Sequence, residues 1–452
     1  MKKQGVVGRQ GIFRVMAMYI VFFLVSVAAA YSAQIAVSAN VAPDFSSGAY
    51  SVIHFDSSYQ NITAQNNLLP TVSDITVRAY GEFFYPIERY KRDNIAKFDI
   101  NDPSASANIW QYSVGDGSSN VHDMIFVSNQ KAYLLRYGKD MAWIVNPSTT
   151  TEDQFKIGEI DLSAYADTDG IPEMESGIMV DNRLFVLLQR LDRNNNWAPQ
   201  VSYVAVIDTT TDTEIDTGIP NDLDVKGIPL PIKNVHAIKY LDGRIYIQGI
   251  GRYGSSYLGI SPEYSGGIAV MDPDTYEVSM LVDDGNDTVH PYGNIVNMAV
   301  DSQSKGYFIG YKGWGDSTLY AFNPSTGAVT GPVVDSLKDK NLSCLAVDKN
   351  GYLWVGDSTD AKIVIVNPAD NSIVTNVNTD LGPQYIAFCL NNIPGDCDGD
   401  GTVTIDEVQK AINCFLGLQN DCCDRCDLNG DRGVTIDELQ KVINAFLGEV
   451  RS

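Results

Sequence analysis

The chain has 452 residues, of which 44% are hydrophobic, and this composition supplies a large folded core and excludes a disordered polymer. Its 32 Lys and Arg against 56 Asp and Glu give a formal net charge of -24. Such a charge opposes binding to a phosphate backbone, so nucleic acid is excluded as a partner class.

The N-terminal residues have the pattern of an export signal. Four basic residues precede an apolar run from Val15 to Ala30 that ends in three alanines. This run has 16 residues, whereas about 20 are needed to span a bilayer, which favours a cleaved signal peptide (residues 1–33) over an uncleaved anchor helix. The sequence therefore predicts a secreted or cell-surface protein with no membrane span after cleavage.

Residues 39–390 repeat one phrase, in which an alternating apolar strand is followed by Asp or Asn and a polar turn. A hairpin with a tight Gly or Asn turn precedes most copies, as at Asp242-Gly243 and Asn350-Gly351. The copies are 43 to 64 residues apart, which fits four-stranded propeller blades. The seven copies place their Asp or Asn at Asp56, Asp99, Asn146, Asp208, Asp272, Asn323 and Asn367. The sequence thus predicts an all-β seven-bladed β-propeller, followed by a small all-α C-terminal module.

The two ends of this body complement each other. The stretch from Pro383 to Leu390 has the pattern of an inner strand without a hairpin partner, whereas the body begins with the outer-strand phrase GAYSVIHFD. We expect the C-terminal strand to complete the N-terminal blade, because this closure leaves no exposed sheet edge.

The strand-and-turn phrases make the body resemble the seven-bladed propellers built from YVTN-type and NHL-type surface repeats. The resemblance implies an architecture rather than an activity, since such propellers include surface-binding proteins, lactone hydrolases, polysaccharide lyases and redox enzymes. The sequence contains no nucleophile elbow, paired-histidine zinc helix or Gly-rich phosphate loop that would choose among them.

Two histidines and one glutamate occupy equivalent points of the repeat. His122 lies in NVHDMIF, His236 in NVHAIKY and Glu175 in EMESGIMV. We expect these residues near one mouth of the central channel, where they either bind a ligand or metal or form an ordinary polar lining. An acidic stretch nearby is either a further calcium site or a solvated loop. Its carboxylates are Asp167, Asp169, Glu173 and Glu175.

Aromatic residues cluster in three stretches of the body, several of them in connections between strands. Because sugar rings present apolar faces that stack on aromatic side chains, one hypothesis is a carbohydrate-binding platform, and the other is packing within the blades. The residues concerned are Phe83, Phe84, Tyr85, Tyr90, Tyr253, Tyr257, Tyr264, Tyr311 and Trp314.

Two twelve-residue stretches in the C-terminal module, residues 396–407 and 427–438, have the spacing of EF-hand calcium loops. Each places oxygen side chains at positions 1, 3 and 5 and a glutamate at position 12. Each is followed by nearly the same amphipathic sequence, VQKAINCFLG or LQKVINAFLG, which predicts a helix. No entering helix fits before the first loop, and the two loops begin 31 residues apart.

This duplicated loop and helix, residues 393–452, resembles a dockerin, the calcium-dependent module that fixes its carrier to a cohesin receptor. The resemblance implies a cohesin-like partner and bound calcium. The implied ligands are Asp396, Asp398, Asp400, Thr402 through its carbonyl and Glu407 in the first loop, and Asp427, Asn429, Asp431, Gly433 through its carbonyl and Glu438 in the second.

The module also departs from the dockerin pattern. Arg432 stands where the first loop has Gly401, and a non-Gly residue at positive φ costs about 1 kcal/mol, so we expect a weaker second site. Ile405-Asp406 and Ile436-Asp437 replace the hydroxyl pairs with which the best-known dockerins select a cohesin. The module therefore either docks to a different receptor or is a calcium-stabilised terminal cap.

Seven cysteines in an exported chain indicate disulfides. Cys344 lies alone in an apolar strand and is expected to be a buried free thiol. The other six favour three bridges, whose connectivity stays open. A zinc cluster is the competing hypothesis for Cys422, Cys423 and Cys426, but no histidine lies nearby. The six are Cys389, Cys397, Cys414, Cys422, Cys423 and Cys426.

The sequence as a whole favours a secreted calcium-binding protein. We expect its propeller to bind an extracellular ligand, either a carbohydrate or a surface protein, and its dockerin-like module to anchor it to a cohesin-type or other surface receptor. The alternative is a carbohydrate-active enzyme, a polysaccharide lyase or hydrolase, carried by the same module. A redox propeller is a third hypothesis, which requires a bound chromophore.

Overall fold

A computed structural model of the chain describes residues 34–115, 118–389, 395, 403–418, 426 and 434–447. The predicted signal peptide and the first seven residues of each predicted calcium loop lie outside the described residues. In the part that is described, no helix combines the length and the apolar character needed to cross a membrane.

The body is a seven-bladed β-propeller, as predicted, and each blade is an antiparallel sheet of at least four strands. The strands of blades 1 to 3 are β1 (Gln34–Val41), β2 (Gly48–Phe55), β3 (Thr63–Thr71), β4 (Ile75–Tyr80), β5 (Phe83–Glu88), β6 (Asn94–Asp99), β7 (Asn108–Ser113), β8 (Val121–Ser128), β9 (Lys131–Arg136), β10 (Met141–Val145) and β11 (Lys156–Asp161).

Blade 4 is the most elaborate blade, with a fifth strand and a small separate hairpin, β14 and β15. The strands of blades 4 and 5 are β12 (Met174–Val180), β13 (Arg183–Leu188), β14 (Leu191–Asp192), β15 (Ala198–Pro199), β16 (Val201–Asp208), β17 (Thr213–Glu214), β18 (Ile228–Lys233), β19 (Val235–Leu241), β20 (Arg244–Gly249), β21 (Gly267–Met271) and β22 (Val278–Val282).

Blades 6 and 7, like blade 5, have four strands each. Their strands are β23 (Asn294–Ser302), β24 (Lys305–Gly313), β25 (Asp316–Phe322), β26 (Val329–Thr330), β27 (Leu342–Val347), β28 (Leu353–Asp357), β29 (Lys362–Asn367) and β30 (Ser372–Asn378), and the last strand of the body is β31 (Gly382–Cys389). One-turn 3-10 helices span Ala105–Ala107, Glu152–Gln154, Ser163–Tyr165, Arg193–Asn195 and Asp335–Leu337.

The repeated Asp or Asn has the same structural role in every blade. It ends the third strand or directly follows it, and its side-chain oxygen accepts a hydrogen bond from the backbone N–H two residues later, which fixes the turn to the outermost strand. In Asp208 this distance is 2.8 Å, and in Asn367 it is 3.0 Å. The same bond occurs at Asp56, Asp99, Asn146, Asp272 and Asn323.

The first and last strands close the ring. Strand β31 pairs antiparallel with β1 from Ile35↔Cys389 to Val41↔Gly382, and blade 1 has the order β3-β2-β1-β31. The predicted completion of the N-terminal blade by the C-terminal strand is confirmed. Strand β1 begins at Gln34, ahead of the start of the body expected at residue 39. The sequence did not indicate this strand, because QIAVSANV contains no copy of the repeated phrase.

Apolar side chains fill the spaces between neighbouring blades. Leu135 of blade 3 and Leu184 of blade 4 belong to one such buried cluster. At the closing seam, Trp354 of blade 7 is fully buried against Phe55 and Phe388 of blade 1, with ring centroids 4.8 and 5.2 Å apart. Burial of each large apolar side chain contributes about 1.5–3 kcal/mol, so these contacts hold the ring together.

The C-terminal module contains two helices, α1 (Ile405–Phe415) and α2 (Ile436–Phe446). Each begins with a capping box: the N-cap Thr accepts from the backbone N–H of the Glu three residues later, whose carboxylate accepts from the Thr backbone N–H. The helices pack through Ala411 and Val442, which are fully buried.

The cysteines differ in part from the prediction. Cys344 is a buried free thiol, as expected. Cys389 is also a buried free thiol, so the prediction of three bridges among the other six cysteines is wrong. The reason is its position, because Cys389 ends β31 and packs into the core of blade 1. Pairing among Cys397, Cys414, Cys422 and Cys423 remains a prediction.

Candidate functional site

Bulges in the inner strands direct polar side chains into the central channel. Strands β8, β12 and β19 each have a register shift near their first residues. A bulge inserts an extra residue and re-aims its side chain. The residues at these irregular positions are His122, Glu175 and His236.

Glu175 bridges the two histidines. Nδ1 of His122 lies 2.6 Å from Oε2 of Glu175, and Nδ1 of His236 lies 2.7 Å from Oε1. The expectation that these residues lie together is therefore confirmed. Burial alone would raise the pKa of Glu175, but the charge and hydrogen bonds of the two imidazoles hold it well below its usual value. Glu175 is thus an ionised carboxylate that accepts from both rings.

His122 is a largely buried imidazole in a fixed orientation, with 13% of its side chain exposed. Burial lowers its pKa below the usual value, and this effect exceeds the opposing charge of Glu175. Its ring stacks on Tyr137, with centroids 3.9 Å apart. A neutral ring that donates from Nδ1 carries a lone pair on Nε2, so His122 is suited to accept a proton or a hydrogen bond there.

The trio is not arranged as a metal site. A metal held by both rings and the carboxylate needs ligand atoms that converge on one point at about 2 Å. Among the described residues, only Asp167, Asp169 and Asp192 bring three such ligand atoms within 4.8 Å of one another. The two imidazoles instead lie on opposite oxygens of Glu175, and the geometry favours hydrogen bonding and proton transfer.

Cationic side chains surround the trio. Arg89 donates from Nε to Asp74 over 2.7 Å and from Nη1 to the hydroxyl of Tyr385 over 3.2 Å. Arg78 forms an ion pair with Asp123, which is itself buried. Both arginines are therefore neutralised by a carboxylate of their own.

Two adjoining cavities occupy the channel. The first, here called the channel cavity, has a volume of about 500 Å³ and is lined by the inner strands of all seven blades, including the Glu175 trio. The second, here called the mouth cavity, has a volume of about 640 Å³. His236, Asn297 and Tyr385 line both, so the two cavities adjoin at these residues.

The mouth cavity combines exposed aromatic rings with amide and hydroxyl groups. Trp314 is 69% exposed and lies edge-on to Phe45, and Tyr253 is 44% exposed and lies edge-on to Tyr311. The polar side chains of this cavity include Asn297, Asn341, Ser343, Ser358 and Gln384. Flat apolar faces beside hydrogen-bonding groups suit a sugar-like ligand.

The structure divides the aromatic residues singled out in the sequence. Tyr253, Tyr311 and Trp314 line the mouth cavity, whereas Phe84 and Tyr85 are fully buried in the blades. Sequence reasoning missed Phe45, which lies at positive φ in the turn between β1 and β2, outside the repeated phrases. It also missed Tyr385, whose strand was recognised only as the closing strand.

The acidic stretch does not gather its four carboxylates. Glu175 belongs to the channel trio, and Glu173 forms an ion pair with Arg193 over 2.9 Å. Asp167 and Asp169 lie instead with Asp192. Asp169 accepts from the backbone N–H of Ile171 over 2.8 Å, a bond that stabilises a turn.

Of the ten predicted calcium ligands, Glu407 and Glu438 lie among the described residues. Each is buried at the start of its helix, with 8% and 4% exposed, and its carboxylate caps that helix. A buried carboxylate at the end of an oxygen-rich loop fits a hard cation such as calcium. The other eight predicted ligands lie outside the described residues.

The comparisons with known proteins support the fold. No family model and no curated protein matches the chain. A solved protein from Lactobacillus plantarum is 10% identical with a TM-score of 0.55, and the match covers 79% of this chain and 99% of that one. A candidate 6-phosphogluconolactonase from Bacteroides fragilis is 10% identical with a TM-score of 0.51, covering 79% and 98%. At such identity the likeness shows the propeller fold alone.

Proposed function

We propose that the protein is secreted, that its propeller binds an extracellular carbohydrate in the mouth cavity, and that its C-terminal module binds calcium and anchors it to a cohesin-type or other surface receptor. The observation that carries the proposal is the mouth cavity itself. Its exposed rings at Phe45, Tyr253 and Trp314 and its side-chain amides provide the stacking surface and the hydrogen bonds that a sugar requires.

The anchoring role is supported by matched exposed residues on the two helices of the module. Ile405 is 63% exposed and its counterpart Ile436 is 61% exposed, while Leu416 and Leu447 are each 58% exposed. Apolar side chains exposed in two equivalent copies suit a protein partner. The isoleucines stand at the predicted recognition positions, so we expect the receptor to present an apolar surface there.

A glycan array tests the carbohydrate proposal. We expect the protein to bind a defined set of saccharides, and the Trp314→Ala variant to bind them about 2- to 10-fold more weakly, because stacking on a ring contributes about 0.5–1.5 kcal/mol. Tyr257→Ala is the matched control, since Tyr257 is 95% exposed and lies outside the cavity. Absence of binding to every saccharide would refute this part of the proposal.

A pull-down from the native cell surface, with and without a calcium chelator, tests the anchor. Capture of a receptor only in the presence of calcium is expected, and Ile405→Asp combined with Ile436→Asp should abolish it. Capture that survives both the chelator and the double variant would overturn the anchoring role.

A second candidate function is a carbohydrate-active lyase or hydrolase. It is favoured by the Glu175 trio, because an ionised carboxylate that orients a neutral imidazole is a common arrangement for a general base. Assays for new reducing ends and for unsaturated sugar products separate the two functions. Turnover that is lost in His122→Gln supports the enzyme, and binding without any product supports the binding protein alone.

A further inference from the structure

Lys239 is a solvent-exposed cation that lines the channel cavity. It lines this cavity together with Arg78 and the Glu175 trio. Among the described residues, Lys239 has no hydrogen-bond or ion-pair partner, whereas Arg78 and Arg89 are each paired with a carboxylate. The Lys239 side chain is exposed to solvent in the channel, although protein surrounds it on every side; this surrounding protein and the charge of Arg78 lower its pKa, and the charge of Asp123 opposes them.

A bulge interrupts the part of strand β19 that lines the channel cavity with His236 and Lys239. In a regular strand residues three apart point to opposite faces. The register of β19 shifts between Val235 and Ala237, and His236, Ile238 and Lys239 all line the channel cavity, with Ile238 also packed into the neighbouring core. The strand therefore presents an imidazole and an ammonium group to the channel, on the order of 10 Å apart along its length.

The residues that line the two cavities show that Lys239 lies deeper in the channel than His236. His236 lines both the mouth cavity and the channel cavity, whereas Lys239 and Arg78 line the channel cavity only. A ligand that enters past the aromatic rings of the mouth therefore meets His236 first and Lys239 beyond it. At the level of His236, both carboxylate oxygens of Glu175 accept hydrogen bonds from imidazoles.

We propose that the channel cavity binds the anionic group of an acidic saccharide, a carboxylate or a sulfate ester, at Lys239 with Arg78 beside it. This inference rests on the proposed binding of a carbohydrate in the mouth cavity and adds the class of sugar. The chain has a net charge of -24, but Lys239 is exposed to the channel and, among the described residues, has no ionic partner, so its charge is available to an anionic ligand.

The test compares an acidic saccharide with its neutral form. From the glycan array we take the uronate-containing oligosaccharide that binds best, its carboxyl-reduced form, and a sulfated form of the latter. Calorimetry on the full chain is expected to show about tenfold weaker binding of the carboxyl-reduced form, because a charge-assisted hydrogen bond is lost. Recovery of affinity by the sulfated form assigns the site to anions in general, and no recovery assigns it to carboxylates.

Variants of Lys239 test whether the difference in affinity between the acidic and the neutral saccharide arises at this side chain. Lys239→Met should weaken binding of the acidic saccharide about tenfold and leave the neutral form unchanged, whereas Lys239→Arg should retain the preference. Unchanged thermal unfolding would show that both variants are folded. Equal binding of acidic and neutral saccharides, or a preference that survives Lys239→Met, overturns the anionic site alone. Failure of every saccharide to bind overturns the proposed carbohydrate function instead.

Discussion

The substitution Gly395→Ala tests how the C-terminal module is held together. Gly395 has φ of +92°, and a Cβ at this position would lie less than 3 Å from Cγ1 of Val442, which is fully buried in α2. The positive φ costs an alanine about 1 kcal/mol. The forced displacement of Val442 adds about 1–3 kcal/mol, as overpacking does in cores. The expected destabilisation is therefore about 2–4 kcal/mol.

This loss is large for so small a module, because a core of this size supplies on the order of 3–5 kcal/mol. Among the described residues, α1 and α2 are the only α-helices, so ellipticity at 222 nm follows the module within an otherwise β-rich protein. We expect the variant to lose helical signal at a lower denaturant concentration than the parent. If the module binds calcium, added calcium should restore the signal by mass action.

Gly417→Ala is the matched control. Gly417 also has positive φ, +67°, but a Cβ there would have no atom within 4 Å. Its substitution should therefore cost only about 1 kcal/mol, the conformational term alone. Equal destabilisation by the two substitutions would show that Gly395 does not approach Val442 as described and would refute the reasoning.

Three further predictions concern calcium, the channel and a buried carboxylate. Calorimetry should detect two calcium ions of unequal affinity, and Arg432→Gly should tighten the weaker one; two equal sites that this change does not affect would contradict the prediction. NMR titration should give His122 a pKa below 6.5, and Glu175→Gln should lower it further because the carboxylate charge that favours the imidazolium is removed; an unchanged value would exclude the contact. Asp284 is fully buried, and burial raises its pKa from 3.8 to about 7. The folded protein therefore favours the protonated carboxyl group, so the contribution of Asp284 to stability is present below pH 3.8 and is lost as the pH rises through 7. Asp284→Asn should therefore weaken the loss of thermal stability between pH 5 and pH 8, and an identical loss in both proteins would contradict this assignment.

The sequence determined the repeating architecture because its causes are local. An Asp or Asn such as Asp208 fixes its own turn through a bond to the backbone two residues later, so the blade count follows from counting these residues. The closing strand was predictable because each end of the body carries part of a blade. The C-terminal end has an inner strand without a hairpin partner, and the N-terminal end begins with an outer-strand phrase. The equivalent positions of His122 and His236 were visible from the repeat, since each lies at the same distance from a hairpin turn.

Only the tertiary structure decided how these positions meet. Glu175 contacts two histidines that lie 53 and 61 residues away in sequence, and the bulges that aim all three are set by pairing with the next strand. Phe45 and Trp314 share the mouth cavity although they come from blades 1 and 6. A propeller channel gathers residues from every blade, so the composition of its site depends on how far each inner strand projects its side chains into the shared channel, which no local pattern along the chain encodes.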